Sequence, residues 1–229
     1  MKQVQNDDNV KITEKKNRKI KTRVILVLIF IAIVGLIAYM SYRGNYLETI
    51  EIGENFKQVF SQNLMYQYSI TIANFIILFL SISLTNRGIK KGLKAFFDEE
   101  KKDMPKLPSK SIAFILSGII SIVISSFMKQ TVALFINKAW FGISDPIFGT
   151  DIGYYVFTEP FLQMLIIYFI TLVVGLAIYT TIYHIAVFNI YFDGINVQTL
   201  KKSKFFKQLT NSVIYLSFGI AAYSSVKSA

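Results

Sequence analysis

Five stretches of at least 17 consecutive residues carry no charged side chain: residues 24–40, 66–84, 111–128, 161–183 and 209–226. A helix needs about 20 predominantly apolar residues to cross the hydrocarbon core of a bilayer, and in lipid every backbone amide and carbonyl must be bonded within the segment. These runs fit that demand, and their unbroken apolarity is unlike the one-sided periodicity of a soluble helix. In the first run, 12 of the 17 residues are Val, Ile, Leu or Phe. At roughly −0.3 to −0.6 kcal/mol per residue near a helix centre, insertion is strongly favoured. The run is longer than the core of a cleaved leader and no small-x-small site follows it, so it reads as a retained span. The expected fold is all-α: a multi-pass transmembrane helical protein with about five spans and short interfacial helices. A basic tail at residues 1–23 precedes a transmembrane region at 24–229, with spans at 24–42, 66–85, 111–128, 161–183 and 209–226.

The connections supply the interfacial helices. After Gly53, the residues Phe56, Val59, Phe60 and Leu64 recur at helical spacing, which predicts a short amphipathic helix. Residues 131–141 predict a second, ending in Trp140. Span two is expected to stop at Gly88. Beyond it, Ile89, Leu93, Phe96 and Phe97 share a face of a basic amphipathic segment that would lie on anionic lipid. Asp98, Glu99, Glu100 and Asp103 follow, and Pro105 and Pro108 break the stretch before span three.

Charge then sets orientation. The formal net charge of +11 would suggest nucleic acid if it lay on one soluble face. It falls instead in three blocks flanking the apolar runs, which membrane topology explains without a nucleic-acid partner. Lys and Arg number 8 in residues 1–23, 2 in 43–65, 8 in 86–110, 2 in 128–160 and 4 in 189–208. The positive-inside rule therefore predicts a plasma-membrane protein with a cytoplasmic N-terminus, whose basic blocks meet the anionic inner leaflet. Tyr42, Tyr46, Tyr66, Tyr68, Trp140 and Phe141 fall at the opposite edges, as an aromatic belt would.

On that topology the stretch WFGISDPIFGTDIGYYVFTEPF, residues 140–161, is an outer loop. Pro146 pushes Asp145 out of the helical region and fixes a turn. Gly149 and Gly153 are free to take positive φ. The Tyr154, Tyr155 and Phe157 run is β-prone and suited to headgroup depth, and Pro160 is placed to start span four. The set Asp145, Pro146, Phe148, Gly149, Asp151, Gly153, Tyr154, Tyr155, Phe157 and Pro160 resembles the signature of uncharacterised protein family 0182. These are bacterial and archaeal multi-pass membrane proteins of no established function. The region from Tyr46 to Phe60 also looks similar to that family's first outer connection. The resemblance implies about seven spans and a large extracytoplasmic region, so that this chain would match the N-terminal part alone. The ending Ser224-Ser225-Val226-Lys227-Ser228-Ala229 is unlike the family's continuation, which suggests a truncated or frameshifted product. The resemblance brings no catalytic or binding residues.

Several residues are candidates for more than packing. Asp145 and Asp151 offer two carboxylates to an external divalent cation, but hard cations want six or more oxygens; capping of turn amides is the commoner role for such aspartates. Asn74 lies mid-span, where polarity can mark a pathway or simply join helices. Ser117, Ser121 and Ser125 form a stripe of small residues at i, i+4 and i+8, beside Gly118, suited to close helix packing. His184, the one histidine, is expected at an interface or a cap.

The chain has no cysteine, which removes disulfides, thiolate metal sites and a Cys nucleophile. It has no G-x-S-x-G, no P-loop and no intramembrane carboxylate pair. No cofactor or resident metal is expected. The leading expectation is a non-enzymatic membrane module that anchors or orients an extracytoplasmic part, or packs with other membrane subunits. A transporter or channel component comes second, and an enzyme acting on lipid or cell-envelope material third.

Overall fold

A single 43-residue helix, α1 (Lys57–Glu99), organises the computed structural model. The structure describes residues 57–104, 109–192 and 197–227, with separate positions between 25 and 53. The basic tail 1–23, Phe56, Pro105 and Pro108 lie outside the described residues, as do several positions of the first span. After α1 come α2 (Ser109–Ile136), a π-helical turn (Tyr154–Thr158), α3 (Glu159–Tyr191), the short α4 (Val197–Lys202) and α5 (Phe205–Lys227). Among the described residues there is no strand, only an isolated bridge between Ser144 and Asp151. The fold is all-α.

Three described helices are long and apolar enough to cross a membrane: Gln58–Glu99, Ser109–Ile136 and Tyr154–Tyr191. Their apolar surface faces outward, since 6% of the most apolar window of Tyr154–Tyr191 is buried inside the protein. A water-soluble helix would put that surface in a core. The predicted fifth span lies within α5, whose Asn211 and many hydroxyls dilute its apolarity, and α5 is not among the three.

The chain divides into two compact units, 1–62 and 63–229. In the first, the described positions from 25 to 51 are helical, and Tyr42 and Tyr46 stack at 6.0 Å with both rings against Phe60.

In the second unit α1 and α2 run antiparallel, joined at three levels. Asn86 Nδ2 donates to the Ser109 carbonyl at 3.0 Å, Asn74 Nδ2 to Ser125 Oγ at 3.2 Å, and Asn137 Nδ2 to the Tyr66 hydroxyl at 3.4 Å. Helix α3 reverses again, stacking Phe161 on Phe135 at 3.9 Å and passing Tyr179 beside α1, where its hydroxyl donates to Asn86 Oδ1 at 2.7 Å. Helix α5 lies against α3 closely enough that a Cβ on Gly219 would meet Ile170 Cγ1 at 2.8 Å.

One consequence is polarity along the unit. The C-terminal end of α1, the start of α2 and the end of α3 share one end, where Lys102 Nζ donates to the Tyr191 carbonyl at 3.4 Å and Lys202 pairs with Glu100 at 3.3 Å. Arg87, Lys90, Lys91, Lys94 and Lys110 belong to this end, and the loop after α2 belongs to the other.

The structure departs from the sequence reading at three boundaries. Gly88 does not stop span two; α1 continues to Glu99. The reason is packing: Ile89, Leu93, Phe96 and Phe97 are buried against Val187 and Phe188, so this apolar face lies in a protein core rather than on lipid. Gly92, not Gly88, is the glycine this arrangement needs, because a Cβ there would sit 2.5 Å from the Ser203 carbonyl oxygen. The two expected interfacial helices are not separate, since residues 57–64 are the first turns of α1 and α2 runs on to Ile136. The Tyr154 to Phe157 run is helical rather than extended. The Glu159 amide donates to the Tyr154 carbonyl, five residues back. Pro160 has no amide to give, and its ring crowds the carbonyl four residues earlier. A wider π turn accommodates both conditions.

Candidate functional site

The loop between α2 and α3 is built from main-chain hydrogen bonds to two aspartates. The Asp145 amide donates to the Thr150 carbonyl at 2.8 Å and the Ile152 amide to the Ile143 carbonyl at 3.0 Å, which pairs two short arms. At the tip, the Gly149 amide donates to the Asp145 carbonyl at 2.9 Å, with Gly149 at φ +66. Asp145 Oδ1 accepts from the amides of Ile147 at 2.7 Å and Phe148 at 2.9 Å. Pro146 helps to hold that turn by fixing its own φ.

Asp151 fastens the base. Its Oδ2 accepts from the Gly142 amide at 2.8 Å, and its Oδ1 from Gly153 at 2.7 Å and Phe141 at 3.3 Å. Withdrawal from water raises the carboxyl's pKa, but the amides of Gly153, Phe141, Gly142 and Ile143 outweigh that and hold it below the ordinary 3.8. Gly153 is helical, with φ −57, so it does not serve by positive φ. Its role is close approach: a Cβ would lie 2.6 Å from the Ala139 carbonyl and 2.8 Å from Asp151 Oδ1. Gly142, at φ +69, supplies the left-handed residue that the sequence reading overlooked.

A cleft of about 450 Å³ opens beside this base, walled by Lys138, Trp140, Thr150, Asp151, Tyr154 and Thr158 among others. Lys138 Nζ lies 5.0 Å from the Phe135 ring centre. Trp140, Ile147 and Phe148 are exposed at 84%, 80% and 60%, so the loop presents apolar tips outward. Tyr155 packs edge-on to Tyr154 at 5.5 Å, and Phe157 stacks on Phe141 at 5.9 Å. No group of three or more His, Cys, Asp or Glu that could hold a metal occurs among the described residues. The oxygens of Asp145 and Asp151 instead meet separate sets of amides.

The mid-span candidates come together elsewhere. Asn74 is buried and reaches both Ser125 Oγ and Met128 Sδ, the latter at 3.4 Å. Ser117, Ser121 and Ser125 are all buried, and each hydroxyl bonds back to its own helix, at Ala113, Gly118 and Ser121. Gly118 faces open space. His184 is not a cap, since α3 runs on to Tyr191. It is wholly buried beside Phe205 and Phe188, with Nδ1 2.8 Å from the Thr180 carbonyl and, among the described residues, no partner at Nε2. The Asn86 bridge from α1 to both α2 and α3 escaped the sequence reading, although an Asn at the end of an apolar run was the available signal.

A protein of Caldicellulosiruptor saccharolyticus described as "UPF0182 protein" is 30% identical over 188 residues, covering 78% of this chain and 20% of its own length. One from Clostridium tetani is 31% identical over 142 residues, 61% of this chain and 15% of its own. A third, from Corynebacterium jeikeium, is 42% identical over 57 residues, 25% of this chain and 6% of its own. The chain thus spans no more than a fifth of the length of these relatives. No solved structure matches it. The family model described as Uncharacterised protein family (UPF0182) matches residues 20–228, and the chain belongs to that family.

Proposed function

We propose that this chain is a non-enzymatic, membrane-embedded module of the plasma membrane. It crosses about five times with its N-terminus in the cytoplasm, and it anchors or orients an extracytoplasmic part or packs with partner subunits. The observation that carries this reading is how the mid-span polar groups are used. Asn74 is spent on Ser125 and Met128, and the hydroxyls of Ser117, Ser121 and Ser125 bond within α2. Polar groups consumed in this way fasten helices to one another rather than lining a path. The gathering of Arg87, Lys90, Lys91, Lys94, Lys110 and Lys202 at one end supports a cytoplasmic position for that end. The aspartate-tied loop with its exposed Trp140 supports an outer position for the other.

A transporter component is the second reading. It is favoured by a cleft of about 190 Å³ between α1, α3 and α5, lined by Thr85, Thr180, Gln208 and Asn211 among others, where Gln208 Oε1 is buried without a partner among the described residues. Purified protein in proteoliposomes separates the two. The module reading predicts no solute or ion flux above that of empty liposomes, and stable partners on mild-detergent copurification. Flux that Gln208→Leu abolishes would replace it with the transport reading.

A further inference from the structure

At the basic end of the 63–229 unit, α1 and the start of α2 line a cleft of about 330 Å³, walled by Phe79, Leu80, Ser83, Asn86, Arg87, Lys90, Ser109 and Lys110. Arg87, Lys90 and Lys110 all border it, and no acidic side chain does among the described residues. None of these three cations has an ion-pair or hydrogen-bond partner among the described residues, and Ser83 is also without one. At the same end Lys202 pairs with Glu100 at 3.3 Å. Uncompensated like charges around one concavity repel each other, and an anion removes that cost.

The cleft is also graded in polarity. Phe79 and Lys90 are eleven residues apart on one helix, which spans roughly 17 Å at 1.5 Å per residue. Its apolar mouth, at Phe79 and the 54% exposed Leu80, continues onto the outward-facing apolar surface of α1. Its charged mouth lies where the apolar run ends. Asn86 is held between the Ser109 carbonyl and the Tyr179 hydroxyl, which fixes the floor. A free phosphate would use only the charged half. A lipid uses both, with the phosphoryl group among the cations and an acyl chain along Leu80. Basic recesses between membrane helices on the cytoplasmic side take such head groups.

We propose that this cleft is a binding site for the phosphoryl headgroup of an anionic phospholipid, held by Arg87, Lys90 and Lys110. The proposal rests on the membrane reading and narrows its diffuse basic surface to one site. The test uses the full chain in detergent micelles, with phosphatidylglycerol titrated in and the lipid-bound species counted by native mass spectrometry. One saturable phosphatidylglycerol is expected, with phosphatidylcholine and inorganic phosphate binding at least tenfold more weakly. Arg87→Gln/Lys90→Gln/Lys110→Gln should weaken it at least tenfold, and Arg87→Lys/Lys90→Arg/Lys110→Arg should restore it to within about threefold. Lys91→Gln/Lys94→Gln/Lys201→Gln removes as much charge from the same end and should change it less than twofold. Equal losses in both neutralised variants, or inorganic phosphate binding as tightly as the lipid, would overturn the site. Release of the protein from membranes by alkaline carbonate would instead overturn the membrane reading beneath it.

Discussion

The Asn74 side chain donates to Ser125 Oγ at 3.2 Å across 51 positions of sequence, and both residues are buried between α1 and α2. Hydrogen bonds between membrane helices contribute about 0.6 to 2 kcal/mol each. Ser125 also donates to the Ser121 carbonyl at 2.6 Å, so the pair is coupled to the α2 backbone. Asn74→Ala is expected to destabilise the bundle by about 1–2 kcal/mol. A cycle with Ser125→Ala should return a coupling of roughly 0.5–1 kcal/mol, measured by unfolding in mixed micelles. Strict additivity would mean the bond contributes nothing.

Gly92 and Gly175 both lie inside helices, yet they should respond oppositely to alanine. A methyl on Gly92 meets the Ser203 carbonyl oxygen at 2.5 Å, whereas nothing lies within 4 Å of one on Gly175. Gly92→Ala is expected to lose about 1–3 kcal/mol through the forced backbone shift. Gly175→Ala should be neutral or gain up to about 1 kcal/mol from helix propensity. Thermal unfolding of the two variants side by side checks this, and equal effects would refute the close approach.

The loop's response to pH follows from Asp151. Its carboxyl pKa is held below 3.8 in the folded loop, so the unfolded loop takes up a proton first as pH falls. The stabilisation is fully present above the unfolded value and is lost as pH drops through the lowered folded value. Trp140, the chain's one tryptophan, adjoins the amides that Asp151 binds and reports on the loop. Its emission should be flat from about pH 5 to 8 and shift only below about pH 4. Asp151→Asn should shift it at neutral pH, because an amide nitrogen cannot accept from Gly142.

Gly149 sits at the loop tip with φ +66, where a Cβ costs roughly 1–2 kcal/mol. Gly149→Ala should raise hydrogen exchange across residues 145–152 while leaving α2 and α3 protected. Unchanged exchange in that segment would show that the tip does not need glycine.

Much of this was legible in the sequence because lipid imposes a simple rule on runs such as 66–84, 111–128 and 161–183, and these fall inside the three long helices. Helix ends were less legible. Gly88 looked like a stop on local propensity, but the stripe from Ile89 to Phe97 has buried partners on α3 that only the fold supplies. The same holds for Tyr154 to Phe157, where β propensity yielded to a helix starting one turn ahead of Pro160. In the loop, the spacing of Asp145, Pro146 and Gly149 announced a turn. The partnership of Asp151 with Gly142 joins arms nine residues apart, and local turn rules do not reach that far.

On the proposed topology, the loop end and the basic end of residues 63–229 face opposite sides of a membrane. Because the chain has no cysteine, a single introduced thiol reports its own side. Ile147 is 80% exposed in the loop, and Lys94 is exposed at the basic end. A membrane-impermeant maleimide applied to intact cells should label Ile147→Cys and reach Lys94→Cys only after permeabilisation. Labelling of Lys94→Cys alone in intact cells, or of both positions equally, would rule out this orientation.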